Sequence, residues 1–382
     1  MKELTILMPC LNEAETLGVC IGRAKKLLVD NKVDGEILVS DNGSTDGSQE
    51  IARALGARVV ECPLRGYGAA LQCGIEQADS QFILIGDSDD SYHFDEAWPM
   101  IEMLKKGYDV CMGTRLKGKI MQNAMPALNR YLGNPVLSAI GKVLFKSDLS
   151  DFHCGMRAFR KDKLLMLNLA TTGMEWASEM VVKAKLAGLK MTEVPVTLYK
   201  DGRSRSPHLR RWRDGWRHLR FMLLHSPTWL FTIPGLVMTA VGVFGQMLLY
   251  RGMVQIGTVK LDVHTMLVMS FLSVVGAQVV FTGTFVRLYS SLHGILPYDQ
   301  KFEKSIKRFT LEKLLIAALV LGLLGLGGFL YTLWGWYQLG FSELNYEVTM
   351  RRLIPSLTLM ALAIQGIFNG FMLSILFLKT NK

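Results

Sequence analysis

The spacing of hydrophobic positions changes near residue 228. Before that point, short apolar runs alternate with segments whose apolar residues recur every three or four positions. Leu4-Thr5-Ile6-Leu7-Met8 is an apolar run stopped by Pro9. Ala14 to Val29 sets Leu17, Ile21, Ala24 and Leu28 on one face, the spacing of an amphipathic helix. Glu36 to Ser40 reads as a second strand broken by Asn42-Gly43, and Gln49 to Leu55 as a second helix ending at Gly56. Arg58 to Glu61 is a third strand, Tyr67 to Gln77 a third helix, and Phe82 to Ile85 a fourth strand that runs into aspartates. This alternation predicts right-handed βαβ units and a mostly parallel sheet. Ligands of such sheets bind beyond the carboxyl ends of the strands. The polar clusters Asn12-Glu13, Asp41 to Asp46 and Asp87 to Asp90 all fall there. The expected fold class is therefore α/β over residues 1–208.

After residue 228 the pattern becomes uniformly apolar in four stretches, 229–249, 266–286, 314–337 and 354–378. Each has no charge in its interior and is long enough to cross roughly 30 Å of hydrocarbon. One such stretch could be a buried core helix, but four in succession predict an all-α transmembrane domain over residues 227–382. Trp229, Trp334, Trp336 and Tyr337 fall at span ends, where interfacial aromatics collect. The segment between the second and third spans holds Arg287, Lys301, Lys304, Lys307, Arg308 and Lys313. The other two connections hold Arg251 with Lys260, and Arg351 with Arg352. Positive charge marks the 287–313 segment as cytoplasmic, and an even number of spans then puts both termini on that side. The first residues are too weakly apolar for a signal peptide. The expectation is an integral protein of the inner, cytoplasmic membrane with its first domain in the cytoplasm.

The joint between the two patterns, residues 209–226, spaces Leu209, Trp212, Trp216, Leu219 and Leu223 at helical intervals. Arg210, Arg211, Arg213, Arg217 and Arg220 fill the positions between. A basic helix with aromatic anchors suits an anionic leaflet; a solvated linker helix is the alternative. Attachment to a span argues against nucleic acid as its partner. A second amphipathic stretch, Met125 to Phe145, carries Leu128, Leu132, Leu137, Ile140 and Leu144, and could be core or could meet lipid.

The chain has 382 residues, half of them hydrophobic, and a formal net charge of +10. That apolar content excludes a disordered coil. The six cysteines form no CxxC pair, which disfavours a zinc site and predicts buried or half-buried thiols in a reducing compartment.

Asp87-Ser88-Asp89 directly follows an apolar strand. Two carboxylates one residue apart can share a hard divalent cation with a diphosphate. Asp90 adds a third acid, and crowded like charges are costly unless a cation is near. Asp41 to Gly47 is a strand–turn–helix joint whose Asp41 could accept hydrogen bonds from a base or ribose. Arg65-Gly66-Tyr67-Gly68 opens the third helix, whose N-terminus favours anions and whose small residues admit close approach. Neither GxGxxG nor GxxxxGK[ST] occurs, so neither a dinucleotide fold nor a P-loop is supported.

Together, Pro9-Cys10-Leu11-Asn12-Glu13, Asp41 to Gly47, Asp87-Ser88-Asp89 and Gly113-Thr114-Arg115 resemble the family 2 glycosyltransferases with a GT-A fold. Asp151-Phe152-His153-Cys154-Gly155-Met156-Arg157, Glu175-Trp176 and Glu193-Val194-Pro195 resemble its polyprenyl-phosphate branch, which includes dolichyl-phosphate-mannose synthases. The resemblance covers about residues 4–228. It implies that Pro9, Asn12, Glu13 and Asp41 hold the nucleoside, with Arg65, Gly66 and Ser88 completing the nucleotide-sugar site. It implies that Asp87 and Asp89 hold Mg2+ or Mn2+ and the diphosphate. Arg115 and Arg157 would face phosphates at the transfer site, with Asp151 and Asp89 in the catalytic set. Gly202-Arg203-Ser204-Arg205 resembles the family's GxSK segment, so Lys200, Arg203, Ser204 and Arg205 would meet the acceptor phosphate. The chain departs from the pattern at Asn42, Ser91, Tyr199 and Arg205.

The implied activity is inverting transfer of one sugar from a UDP- or GDP-linked donor to a polyprenyl phosphate. A processive polysaccharide synthase is one alternative, with His208-Leu209-Arg210-Arg211-Trp212 as an approximation to its Gln/Arg-x-x-Arg-Trp motif. A nucleotide-binding membrane transporter is another, although Gln278, Gln365 and Asn369 are the larger polar groups within the spans. Glycines 322, 325, 327 and 328 could pack within one chain or assemble a homo-oligomer.

Overall fold

The computed structural model describes residues 2–204, 211–297 and 299–377. Arg205, Leu209 and Arg210 thus lie outside the described residues, as does the His208 end of the synthase-like motif. The chain divides into two compact units, Met1–His225 and Ser226–Lys382.

The first unit runs β1 (Lys2–Cys10), α1 (Leu17–Asp30), β2 (Gly35–Asp41), α2 (Ser48–Ala54), β3 (Arg58–Glu61), α3 (Tyr67–Gln77) and β4 (Ser80–Ile85). It continues with α4 (Trp98–Lys105), β5 (Val110–Ile120), α5 (Asn134–Phe145), β6 (Arg157–Arg160), α6 (Lys161–Leu165), α7 (Trp176–Leu186), β7 (Met191–Leu198) and α8 (Arg211–Leu224). The sheet order is β3-β2-β1-β4-β6-β5-β7. β6 is antiparallel to both its neighbours, and the remaining pairs are parallel. The mostly parallel α/β sheet expected from the alternation is present. Strands β1 and β4 are adjacent but lead to crossovers on opposite sides, so the sheet's switch point lies at their carboxyl ends. Buried Leu4, Ile6, Leu7 and Met8 of β1 and Ile83, Leu84 and Ile85 of β4 hold those ends in register. These strands are covered on both faces, which is why they read as continuous apolar runs.

α8 differs from the expected surface helix. Its buried positions are Asp214, His218, Phe221 and Met222, and the latter two pack with Phe145 of α5 and Val182 of α7. Trp212 (82% exposed) and Trp216 (57%) lie outside that packing. α5 is two-faced as well. Leu137, Ile140 and Leu144 pack into the same cluster, while Val136 and Val143, like Leu132 just before the helix, are exposed.

Cysteine usage also departs from expectation. Cys62 and Cys73 form a disulfide joining the end of β3 to α3, while Cys10, Cys20, Cys111 and Cys154 are free and buried.

The second unit contains α9 (Ile233–Tyr250), the hairpin β8 (Val254–Ile256) and β9 (Val259–Leu261), α10 (Val263–Leu292), α11 (Gln300–Ile306), α12 (Leu311–Gln338) and α13 (Tyr346–Leu376). Thr228–Tyr250, Val263–Leu292, Leu311–Gln338 and Tyr346–Leu376 are long and apolar enough to cross a membrane. Close approach of α9 and α10 depends on small residues: a Cβ at Gly235 would lie 2.9 Å from the Gly276 carbonyl oxygen. Gly325 and Gly328 of α12 face Ser356 of α13, so these glycines serve packing within the chain. Gln278 and Asn369 exchange two amide hydrogen bonds at 3.0 and 3.4 Å, which satisfies polar groups that lipid could not.

Candidate active site

The carboxyl end of β1 is laced to that of β2. The Asn12 N–H donates to Ser44 Oγ (2.9 Å), and the Thr45 N–H donates to Asn12 Oδ1 (2.7 Å). The Glu13 N–H donates to Ser48 Oγ (2.9 Å). Asp41 is buried and turned onto its own loop, accepting from the Gly43 and Ser44 N–H groups and from Gln49 Nε2. Asn42 fills a bracing role: its Nδ2 donates to the Leu64 carbonyl (2.8 Å), and its Oδ1 accepts the Gly66 N–H (2.7 Å). Gly66 has φ +133°, and a side chain there would collide with the Thr172 carbonyl. Arg65 donates to the carbonyls of Asn42 and Gly43.

β4 delivers Asp87, Ser88 and Asp89 to the switch point. Ser88 Oγ donates to the Pro9 carbonyl (2.7 Å), fixing the turn against β1. Tyr67 OH donates to Asp87 Oδ1 (3.1 Å). Ser91 donates through both N–H and Oγ to Asp89 Oδ1, at 3.1 and 2.5 Å. Burial raises the pKa of Asp87, and the charge of Asp89 raises it further. Two carboxylates so placed call for a cation. Arg203 supplies one here, donating to Asp89 Oδ2 (2.7 Å), Glu13 Oε1 (3.1 Å) and Asp201 Oδ2 (3.2 Å). Asp90, the third acid of the run, points instead to Arg23 (2.9 Å).

Glu13, Tyr67, the Asp87–Asp89 turn and Arg203 line one cleft of about 570 Å³. Of the residues expected at the donor site, Pro9, Glu13, Arg65, Gly66, Asp87, Ser88 and Asp89 line it. Asn12 and Asp41 are not part of the lining and bond instead to the loop after β2. Arg203 lines the cleft; Ser204 donates to Glu15 through N–H and Oγ, and Lys200 is exposed outside the lining.

Arg115, Asp151 and Arg157 do not line the cleft. Arg115 makes a bidentate pair with fully buried Asp151, at 2.7 and 2.8 Å. Despite burial, that guanidinium holds the Asp151 carboxyl below the usual carboxylate range. Arg157 is buried and donates to the carbonyls of Cys154 and Ala177, both at 2.8 Å. Its charge still acts on Asp87 from behind. The physical reason is shared: each guanidinium is removed from water, so its donors are satisfied inside the protein.

The chain matches the family model for Glycosyl transferase family 2 over residues 5–165, and that for the Glycosyltransferase family 2 C-terminal transmembrane region over residues 284–377. It is 34% identical over 375 residues to the Low-salt glycan biosynthesis hexosyltransferase Agl6 of Haloferax volcanii, covering 97% of this chain and 88% of that one. The chain belongs to glycosyltransferase family 2. A second relative from the same organism, named a Dolichyl-phosphate hexose transferase, is 30% identical over 197 residues, covering 51% of this chain and 82% of its own. Among solved structures, glucosyl-3-phosphoglycerate synthase from Mycobacterium tuberculosis resembles it at 22% identity and a TM-score of 0.48, covering 58% of this chain and 79% of that one. This membrane glycosyltransferase thus has a family 2 domain on a mostly parallel sheet, followed by a transmembrane region.

Among the residues that line the cleft, sequence reasoning assigned no site role to Tyr67, Gly173, Met174 or Asp214, and read Arg213 and Arg217 as leaflet-facing charges. Tyr67 was legible as a helix start and not as a ligand to Asp87. For α8 a signal existed: Asp214 and His218 are polar residues four apart in a basic helix, an arrangement suited to an inward polar stripe.

Proposed function

We propose that this glycosyltransferase moves one sugar from a UDP- or GDP-linked donor to a polyprenyl phosphate, with inversion at the anomeric carbon. The observation that carries this reading is the meeting of opposite charges in one cleft. Asp87 and Asp89 line it together with Arg213 and Arg217 of α8. α8 ends at Leu224, and the first membrane-crossing helix begins at Thr228. The acceptor-side wall is therefore joined to the membrane span by only a few residues of chain. The names of the two archaeal relatives support a hexose as the sugar and a polyprenyl phosphate as the acceptor.

The donor set suits Mg2+ or Mn2+: two hard carboxylate oxygen donors at one strand end, with Ser91 orienting Asp89. Among the described residues no group of three or more acidic, His or Cys side chains converges on a metal site, so the diphosphate would supply remaining oxygens. When bound, such an ion would offset the negative charge gathering on the departing nucleotide. Pro9, Glu13, Arg65 and Gly66 line the part of the cleft assigned to the nucleotide. An acceptor phosphate is already anionic near neutral pH, so the protein needs no strong general base. Its task is to stabilise the leaving group and hold two anions together. The catalytic unit is assigned to the cytoplasmic side on the positive charge between the second and third spans.

The test is a panel of radiolabelled UDP- and GDP-sugars with undecaprenyl and dolichyl phosphates, using the full chain in detergent. A lipid carrying a single sugar is expected. A polymer, or label transferred to no lipid phosphate, would overturn the reading.

A further inference from the structure

Among the described residues four arginines line the cleft, and two are already committed. Arg65 is held by the carbonyls of Asn42 and Gly43. Arg203 is held by Asp89, Glu13 and Asp201. Arg213 and Arg217 differ. Their side chains are 53% and 41% exposed, and they approach Asp214 at 3.6 and 3.7 Å. Arg217 also approaches Glu175, at 4.0 Å. Separations of this length are loose charge pairs rather than tight hydrogen bonds.

The base beneath them is rigid. Asp214 is buried, one turn before His218 on α8. His218 Nδ1 meets Ser178 Oγ at 2.9 Å, and Ser178 Oγ meets His153 Nε2 at 3.0 Å. Phe221 and Met222 then bury the next turn against α5 and α7. Two arginines four apart share one helix face, so both can reach one ligand group. A helix anchored this firmly, with two loosely held guanidinium groups over a cleft, is organised to receive a compact anion.

We infer that Arg213 and Arg217 form the binding pair for the phosphate of the lipid acceptor, with Asp214 as the residue that positions them. The inference rests on the acceptor class proposed above. It moves the acceptor-phosphate contact away from Arg203, whose guanidinium is occupied by carboxylates, to the helix that leads into the first span. Phosphate monoester and donor diphosphate offer the same oxygens to a guanidinium, so the test must separate them.

Binding is measured by calorimetry on the full chain in detergent, with farnesyl phosphate, farnesol, and UDP plus Mn2+ as three separate probes. In Arg213→Gln/Arg217→Gln, affinity for farnesyl phosphate should fall about tenfold or more, the cost of losing charge-assisted hydrogen bonds. UDP–Mn2+ affinity should change less than about threefold by the same conversion. Asp214→Asn should raise KM for the lipid phosphate with little change in kcat, and Asp214→Glu should restore part of the loss. Tryptophan-fluorescence melting of each variant checks that the fold is retained. Unchanged farnesyl phosphate binding in the double variant would overturn the assignment. An equal loss for UDP–Mn2+ would overturn it too, by giving the pair to the donor. If the wild-type chain binds UDP–Mn2+ but treats farnesyl phosphate like farnesol, the acceptor class itself fails and this inference with it.

Discussion

Arg203 lies across the mouth of the carboxylate pair, its Nη2 2.7 Å from Asp89 Oδ2. Burial opposes its charge, but Asp89 and Glu13 outweigh that and hold its pKa above the ordinary arginine value. The guanidinium thus neutralises the acids that a divalent ion would need. Ion and guanidinium compete for one oxygen of Asp89. Arg203→Ala should therefore bind Mn2+ without nucleotide roughly fivefold more tightly, the range of a partly exposed ion pair. Titration followed by Mn2+ electron paramagnetic resonance gives the constant. Equal affinity in variant and wild type would show that Arg203 and the ion do not share Asp89.

Asp89 itself should be indispensable to transfer and dispensable to the fold. One of its oxygens is braced by Ser91, and the other faces the cleft through Arg203. Asp89→Asn keeps the shape and removes the charge. Sugar transfer should fall by about 10²–10³-fold or more, the scale of losing one preorganised electrostatic contact. Membrane extraction and circular dichroism should match wild type. Substantial transfer by this variant would remove Asp89 from the reaction.

What the residue pattern disclosed, and what it hid, follows from distance along the chain. β1 to β4 and the three helices between them are local patterns, and the carboxylates at the end of β4 are announced by the strand before them. The spans are equally plain, because crossing lipid demands length and the absence of charge. Hidden features depend on partners far away in sequence. Arg115 looks like a phosphate ligand until Asp151, on a separate loop, is seen to occupy it. Asp41 looks exposed at a strand end until its own turn closes on it. Arg213 and Arg217 look like leaflet-facing charges because helical spacing gives the faces of α8 and not the neighbour each one meets. The bond between Cys62 and Cys73 has no spacing signature.

The Arg115–Asp151 pair yields a prediction that separates a structural role from a catalytic one. Both partners are buried, so removing one strands the other's charge. Arg115→Met should cost about 3–5 kcal/mol of stability. Arg115→Met/Asp151→Leu should recover most of that loss, since no lone charge remains. Thermal melting of the full chain in detergent reads both. Were Arg115 a direct phosphate ligand, the single variant would instead lose transfer at an unchanged melting temperature.

The anchoring of α8 should carry a signature in acid. Burial lowers the pKa of His218 to about 4, and the nearby Arg157 charge works in the same direction, against the opposing charge of Asp214. His153, across Ser178, is lowered as well, by burial and then by His218. An unfolded chain carries histidines that protonate near pH 6.5. Between about 6.5 and about 4 the unfolded state therefore binds more protons than the folded one, so folding stability must fall as the pH is lowered through that window. Across the whole window His218 alone accounts for roughly 3 kcal/mol. Urea unfolding of the full chain in detergent at pH 7.5, 6, 5 and 4.5 should show that decline. His218→Gln, which cannot take up the proton, should make it shallower, leaving the part that His153 contributes, while lowering stability at pH 7.5. A variant with the same slope as wild type would mean that the proton-linked step lies elsewhere than at His218.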